Sequence, residues 1–437
     1  MDKDLRYSSI VAATGAVVVV ARLALARPQS FLDVLWAEDG FFALCVRNHG
    51  ALQCMLQPHE AYYHLVPRLS ALAVSSLPLQ VWPVASVLAA ASMTGLLSGA
   101  VFHLMRGRGY SIRVSSIAGL VLVMSPLFGL EVVGVTASIY VPLIVCATVL
   151  VVLNSPKPLS YHFSTAYLLV VALTMPAAGC LVLVLLARTL RRDLSPRVSV
   201  EWGMALLTGT AAQFIVALNS PTDRGLSVTI SALRTWADST ISSSLSILPG
   251  LSWAGTEYTS LFPVRPPWFG PWLVLGLVIC WACWVLIGSL RPTPRVTPSS
   301  FRAALLILSG LALSLIPMLA GSPNFRYFVA PFALWSIAAL VLLAPRVDAV
   351  SGRVLAFGLA ALALMWWTSF PASDVRVSPA PSWSEELSRV TAQCRTGEAP
   401  AYGVVFTPLW PNNLARSDLP TPVIPCSILG SPDASAD

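Results

Sequence analysis

Long apolar runs, separated by short polar or arginine-bearing connections, dominate this chain. A helix crosses the hydrocarbon core of a bilayer with roughly 20 apolar residues. Runs of about that length lie at 9–26, 82–105, 114–130, 137–153, 200–218, 271–289, 303–320, 329–345 and 354–370. A shorter pair, 163–174 and 176–190, meets at Met175-Pro176 and suits a hydrated cavity or a thinned part of the bilayer. The pattern predicts an all-α polytopic membrane protein, a bundle of about 10–11 helices.

Composition agrees with this class. The chain is 56% hydrophobic and 11% charged, whereas soluble domains carry about 25% charged residues. The net charge of +7 comes almost wholly from arginine. The arginines cluster in four short connections: Arg106, Arg108, Arg113; Arg188, Arg191, Arg192, Arg197; Arg291, Arg295, Arg302; and Arg346, Arg353. Basic short loops mark the cytoplasmic side of a membrane protein, so this charge does not indicate nucleic-acid binding.

The same rule assigns sides to the longer polar segments. It puts a first outer loop at 28–62 and a charge-balanced second loop at 219–270 outside the cytoplasm. The division is then a membrane domain over 1–370 and an extracytoplasmic tail over 371–437, which we expect to pack on it as a small cap. Segment 64–80 also has a helical pattern. Either it lies in the outer leaflet without crossing, which we favour, or one basic loop breaks the rule.

Eight cysteines divide between apolar spans and the segments assigned to the outside. Cys45 and Cys54 share the first outer loop, and Cys394 and Cys426 share the tail. Two even pairs in an oxidising compartment suggest two disulfides. The alternative is four unrelated thiols.

An acidic pair, Glu38 and Asp39, stands between Trp36-Ala37 and Gly40, just beyond the first apolar run. On a helix, consecutive side chains point about 100° apart, so only one carboxylate can face a given substrate atom. Such a carboxylate can act as a general base or bind a divalent ion. The alternative is a pair at a helix start that is satisfied by backbone amides.

A second polar cluster, Tyr63, His64 and Arg68, follows about one loop later. The spacing predicts that His64 and Arg68 lie one turn apart on a helix beginning near Tyr62. A cationic face of this kind suits a phosphate group, which arginine binds well. A core histidine and a snorkelling arginine are the equally weighted alternative.

Three further residues are candidates for the same outer face. Arg326 and Tyr327 begin an apolar run far from any basic loop, so Arg326 binds either a phosphate or an internal acid. Glu131 is the only acidic residue deep in the apolar sequence between 61 and 192. It is either a site residue or the partner of an arginine such as Arg68.

These motifs resemble the GT-C superfamily of integral-membrane glycosyltransferases. The resemblance is to its long first outer loop, which opens with an acidic motif right after helix one. More narrowly, the run from Trp36 to Gly40, followed by the run from Tyr63 to Arg68, is similar to a group of bacterial membrane proteins with WAEDG-type and Y-x-HLIPR-type motifs. The segment 134–140 departs from that group, which has an asparagine-rich stretch there.

The resemblance implies transfer of a sugar from a polyprenyl-phosphate donor to a glycan, lipid or protein acceptor outside a bacterial inner membrane. Asp39 is then the expected general base, with Glu38 orienting the acceptor or a counter-ion. Tyr63, His64, Arg68, Arg326, Tyr327 and Glu131 are expected to bind substrate or phosphate, and displacement is expected to invert the sugar. No metal site or other cofactor is expected. The alternatives are a flippase or transporter of lipid-linked sugars and a non-catalytic component of a cell-envelope assembly complex.

Overall fold

The computed structural model describes most of the apolar sequence and part of its connections. The described residues are 3–26, 31–57, 62–125, 134–154, 158–219, 236, 240, 269–289, 296–319, 326–355, 358, 382–396, 400–404 and 423–429. Glu131, the side chain of Arg326, nearly all of the loop 219–270 and most of the expected helix at 354–370 lie outside them.

The helices follow the apolar runs. In chain order they are α1 (Lys3–Ala26), α2 (Ala37–His49), α3 (Ala51–Leu56), α4 (Leu65–Ser75), α5 (Trp82–Gly107), α6 (Ile112–Met124), α7 (Tyr140–Leu153), α8 (Pro158–Thr174), α9 (Leu181–Leu190), α10 (Pro196–Leu218), α11 (Phe269–Ser289), α12 (Pro298–Leu319), α13 (Arg326–Ala349) and α14 (Trp383–Thr396). Short 3₁₀ turns lie at Leu79–Val81, Thr136–Ser138, Pro176–Cys180 and Cys426–Ile428, and two strands, β1 (Ala401–Gly403) and β2 (Val423–Pro425), pair antiparallel.

Among the described residues, six helical segments are long and apolar enough to cross a membrane: Lys3–Leu25, Leu79–Gly107, Thr136–Leu153, Pro196–Leu218, Pro298–Ile316 and Tyr327–Ala349. The protein is therefore an all-α, multi-pass membrane protein, as the apolar pattern predicted. Every residue of α7 is buried, so this helix forms the centre of the main apolar core.

Side-chain hydrogen bonds and ion pairs connect the helix ends at each of the two ends of the bundle, which we call its poles. At one, which we name the arginine pole, Arg106 binds Asp4 at the start of α1 at 2.9 Å. Arg108 and Arg188 donate to carbonyls at the end of α7, and Ser111 at the start of α6 binds Asp348 at the end of α13. The opposite end, which holds Asp39, is the carboxylate pole. All the described members of the basic clusters at 106–113 and 188–197 thus lie at one end of the bundle.

The broken pair of apolar helices joins the two poles. The Thr174 hydroxyl at the end of α8 accepts from the amide of Val66, at the carboxylate pole. After the turn Pro176–Cys180, α9 ends at the arginine pole, where Arg188 donates to the Val151 carbonyl at 2.5 Å. At about 1.5 Å per residue, each leg is shorter than an ordinary span, and α10 packs along both.

Helix α4 stays at the carboxylate pole. It has 11 residues, about 16 Å of helix. Arg68 near its start donates to the Cys54 carbonyl, and the Ser75 carbonyl at its end accepts from Arg47 of α2 at 3.0 Å. This agrees with the expectation that 64–80 does not cross.

The tail forms a small structure, which we name the C-terminal cap, from α14 and the two strands. Trp383 donates its amide to the Asp33 carbonyl at 2.7 Å and its indole N–H to the Leu79 carbonyl at 2.7 Å. Its ring stacks on Trp82, and the cap shares an apolar cluster with α2 and α4. One long side of α2 is therefore covered by the cap.

Candidate functional site

Asp39 stands in the first turn of α2, and its carboxylate bonds to the start of a different helical segment. Oδ1 accepts from the Thr136 hydroxyl at 2.6 Å and from the Ala137 amide at 2.8 Å. Oδ2 accepts from the Thr136 amide at 3.0 Å. A helix N-terminus presents unpaired amides and positive dipole density, so the carboxylate is a good partner for the turn that leads into the buried helix α7.

The burial of Asp39 changes its acidity. The residue is 3% exposed. Desolvation disfavours the charged form and outweighs the three hydrogen bonds, which favour it, so the pKa of Asp39 rises from 3.8 to about 6. The charge of the neighbouring Glu38 raises it slightly further. A carboxylate of this pKa is close to the range in which a general base works near neutral pH.

Glu38 differs from Asp39 in its access to solvent. It is half-buried, while Asp39 is buried. Both lie on α2, as the sequence predicted, and successive helical positions point about 100° apart. The pair therefore offers one carboxylate fixed by the backbone of another segment and one that remains accessible.

His64 is not on a helix, and this part of the sequence prediction is wrong. Helix α4 begins at Leu65, and His64 precedes it with φ 50° and ψ 48°, the left-handed conformation. Non-glycine residues in this region are uncommon and store strain. The buried imidazole packs on Tyr62, with 3.8 Å between ring centroids, and near Phe42 of α2. It therefore does not share a helical face with Arg68.

Arg68 ties three segments of the first loop together. Its Nε donates to the Tyr63 carbonyl at 2.5 Å, Nη1 donates to the Cys54 carbonyl, and the guanidinium lies 4.9 Å from the centre of the Phe42 ring. The residue is 4% exposed. Its Nη2 donates to no atom of the described residues, so one corner of the guanidinium remains available to a ligand.

Phe42, and not an ion pair, connects the acidic residue Asp39 with the cationic residue Arg68. Phe42 lies on α2, one turn from Asp39, and contacts both His64 and Arg68. Within the described part of the chain, the carboxylate of Asp39 bonds to Thr136 and Ala137 and to no arginine or histidine. The two sequence motifs are thus neighbours in one buried region.

Gln213 is a polar residue of this region that sequence reasoning missed. It is 1% exposed on α10. Its Oε1 accepts from the Tyr63 amide at 2.8 Å, and its Nε2 donates to the Leu173 carbonyl at 2.5 Å. It therefore holds the Tyr63–His64 turn against the end of α8. One glutamine inside a long apolar run was the available signal, since a polar group buried in a membrane helix needs a partner.

Arg22 is a second residue that the sequence did not single out. It is 2% exposed near the end of α1. Its Nη1 donates to the Val123 and Ser125 carbonyls at 2.6 and 2.9 Å. These carbonyls end α6, so a cation there complements the negative end of the helix dipole. A lone arginine in the first apolar run was the signal.

The Cys45–Cys54 disulfide fastens α3 to α2, and Cys394–Cys426 joins α14 to the residues after β2. These are the pairs that the sequence suggested. The first disulfide fixes the residue whose carbonyl receives Arg68. It is therefore part of the support of that guanidinium.

The remaining candidates are less well placed by the structure. Tyr327 begins α13 half-buried and packs against the main core. Roles for Arg326 and Glu131 stay predictions, because the arginine side chain and the whole of residue 131 lie outside the described residues. In the described ranges, no three His, Cys, Asp or Glu side chains come close enough to hold a metal ion.

Comparison of the chain with models of known protein families finds no match, and comparison with curated proteins finds none either.

Proposed function

We propose that this protein is a membrane glycosyltransferase that moves a sugar from a polyprenyl-phosphate donor to an acceptor hydroxyl, with a carboxylate of the first loop as general base. The observation that carries the proposal is the state of Asp39. It is a fully buried carboxylate whose pKa lies near 6, beside an accessible second carboxylate. Perturbed acids of this kind cluster at functional sites.

The chemistry needs only a base and a cation. The base takes the proton of the acceptor hydroxyl while its oxygen attacks the anomeric carbon of the sugar. The bond from that carbon to the phosphate oxygen breaks, and the lipid phosphate leaves as an anion. Attack from the face opposite the phosphate inverts the sugar, as expected from the resemblance.

The contacts divide the two carboxylates. A carboxylate offers about four acceptor positions, and Asp39 uses three of them. The remaining position, on Oδ2, is the one at which Asp39 can take a proton. The alternative assignment gives Asp39 a positioning role only: it holds the turn that begins at Thr136, and the half-buried Glu38 takes the proton of the acceptor hydroxyl.

The Arg68 Nη2 supports the other half of the proposal. Two nitrogens of this guanidinium are fixed by backbone carbonyls, so the third has a defined direction. A pre-oriented arginine loses little conformational entropy when it binds a phosphate oxygen. His64, in its left-handed turn, lies in the same region through Phe42.

The test is release of lipid phosphate by the purified protein from a panel of polyprenyl-phosphate sugars. Glu38→Gln and Asp39→Asn are the test variants, and Glu201→Gln, which removes a half-buried carboxylate of the arginine pole, is the matched control. Loss of a general base lowers the rate about 10²- to 10⁴-fold. The variant that loses this much while unfolding at the same temperature identifies the base, and full activity in both variants would refute the proposal.

One observation favours a second candidate, a non-catalytic component of a membrane assembly. Asp39 binds backbone amides at a helix start, which a purely structural carboxylate also does. If both variants fold and no donor of the panel loses its sugar to any acceptor, while the intact protein co-purifies with a partner, this function replaces the first.

A further inference from the structure

The arginine pole contains a group of guanidinium groups that outnumbers its acids. Arg188 is completely buried, and its Nε donates to Asp193 Oδ2 at 3.0 Å. Arg108 and Arg302 lie in its electrostatic neighbourhood, and Arg191 interacts with the same Asp193 and Arg302. Asp193 is the only acid in these interactions, so the four arginines carry an excess of three positive charges. We name these four arginines the arginine cluster.

Part of the cluster has a structural explanation. Arg188 Nη1 donates to the Val151 and Asn154 carbonyls at 2.5 and 3.0 Å, and Arg108 Nε donates to the Leu153 carbonyl. These carbonyls end the buried helix α7. Cations complement the negative end of a helix dipole and satisfy its last carbonyls, so two of the four guanidinium groups are used here.

The other part has no such explanation. Arg191 lies 4.2 Å from the centre of the Phe301 ring and donates from Nη2 to the Val296 carbonyl. Its Nη1 and the Nη2 of Arg108 are buried and have no hydrogen-bond partner among the described residues. In the part of the chain that the structure describes, Arg302 at the start of α12 makes no hydrogen bond or ion pair. A buried donor without an acceptor is costly, and more so when it is charged.

Mutual repulsion within the cluster also lowers the pKa of two of its arginines. Burial lowers the pKa of Arg108 most, and the charge of Arg302 lowers it further. The pKa of Arg191 is lowered by burial, raised by Asp193 and lowered again by Arg302. Like charges this close need a counter-charge to be stable at one place.

We propose that the arginine cluster is a binding site for a phosphate group, held by Arg108 Nη2, Arg191 Nη1 and the guanidinium of Arg302. Arginine nitrogens match phosphate oxygens in geometry and form charge-assisted hydrogen bonds with them. The group is either the phosphate of an anionic lipid headgroup, which basic pockets between membrane helices bind, or a free phosphate, which offers arginine the same oxygens. This site is at the opposite pole from Asp39 and does not depend on the glycosyltransferase proposal.

The test uses thermal unfolding of the delipidated protein in neutral detergent. One arm adds inorganic phosphate, with sodium chloride at equal ionic strength as the reference. The other adds phosphatidylglycerol, with phosphatidylcholine as the reference. We expect a rise of the unfolding temperature in at least one arm: a rise with inorganic phosphate identifies a free phosphate, and a rise with phosphatidylglycerol alone identifies a headgroup.

Arg302→Gln is the decisive variant, because this side chain makes no bond within the described protein and its loss should leave the fold intact. We expect the variant to unfold at the wild-type temperature without ligand and to bind the same ligand about tenfold or more weakly. Arg197→Gln, which removes an equally basic but 81% exposed side chain of the same pole, is the matched control and should keep wild-type affinity.

Three results would overturn the proposal. One is the absence of any shift in both arms, and another is an Arg302→Gln variant with wild-type affinity. The third is equal weakening in Arg302→Gln and Arg197→Gln, which would mean that binding follows the general charge of the pole.

Discussion

The two poles of this bundle handle charge in opposite ways. At the carboxylate pole the buried charges are few, and Asp39, Arg68 and Arg22 are each held by backbone groups of another segment. At the arginine pole the charges are many: Arg108, Arg188 and Arg191 interact with one acid, Asp193, and Arg302 interacts with all three arginines. Two buried guanidinium nitrogens there have no hydrogen-bond partner among the described residues. The comparison teaches that burial alone does not identify a ligand site.

The difference gives each pole its own kind of experiment. Charges that are bound by the backbone support the fold, so their removal changes stability and, through geometry, activity. Charges left over after the backbone is satisfied have no folded-state role, so their removal changes ligand binding.

Arg68→Gln should destabilise the protein by about 3–6 kcal/mol. The change removes two charge-assisted hydrogen bonds, each contributing about 1.5–3 kcal/mol, and leaves the Cys54 and Tyr63 carbonyls without their donors. The measurement is thermal unfolding in detergent beside Arg302→Gln, for which we expect a change within about 0.5 kcal/mol. Equal effects of the two variants would erase the contrast between the poles.

The two disulfides should separate stability from activity. Their bonds span 9 and 32 residues, so loss of the first should cost about 3 kcal/mol and loss of the second about 4 kcal/mol. Only Cys45→Ser with Cys54→Ser should also lower lipid-phosphate release strongly, because Cys54 anchors Arg68. If Cys394→Ser with Cys426→Ser lowers lipid-phosphate release equally, the loss of activity does not come from the bond between Arg68 and the Cys54 carbonyl.

Acid should stabilise the carboxylate pole through Asp39. Its pKa is raised from 3.8 to about 6 on folding, so the folded chain keeps a proton that the unfolded chain has lost. The contribution is fully present below about pH 4 and is lost as the pH rises through about 6; a shift of this size corresponds to about 3 kcal/mol. Unfolding between pH 4 and pH 8 should show this dependence in the wild type, and Asp39→Asn should lack it.

If Asp39 is the base, the same proton lowers activity. The rate of transfer should then fall as the pH drops through about 6, over the range in which stability from this group increases. A rate that stays level across this range in the wild type would leave the proton transfer to Glu38.

Gln213→Leu should cost about 1–3 kcal/mol, the effect of leaving buried partners unsatisfied. It removes the acceptor of the Tyr63 amide and the donor to Leu173. Gln213→Glu keeps the acceptor and should recover the position of the turn better than leucine does. The measurement is again unfolding temperature, and an order reversed between the two variants would mean that shape rather than hydrogen bonding decides.

The sequence predicted an all-α multi-pass membrane protein correctly because its spans are continuous apolar runs. It also suggested the cysteine pairs, because the arginine-rich loops assign both members of each pair to one side. The prediction for His64 failed for a local reason: helical spacing continues backward from Arg68 to near Tyr62, but the helix begins at Leu65, immediately after His64 in a left-handed conformation. Spacing alone carries no information on that backbone conformation.

The partners of the candidate site could not be read from the sequence. Thr136 lies 97 residues from Asp39, and Gln213 lies 150 residues from Tyr63. A glutamine in an apolar run signals that a partner is needed but not which one. Only the packing of α2 beside the turn Thr136–Ser138, and of α10 against α8, brings these residues together. The excess charge of the arginine cluster likewise depends on packing, since in the sequence each of its members stands in or beside a short basic connection.

The packing of the C-terminal cap against α2 has a consequence for the biosynthesis of the protein. The amide and hydroxyl of Ser384 bind Asp33 across 351 residues of sequence. A ribosome adds about 5–20 residues each second, so the acidic helix waits roughly 20–70 s for its cover. During biogenesis, any partner that recognises the uncovered side of that helix meets only nascent chains, and a truncated product would be distinguishable from a finished one at the membrane surface.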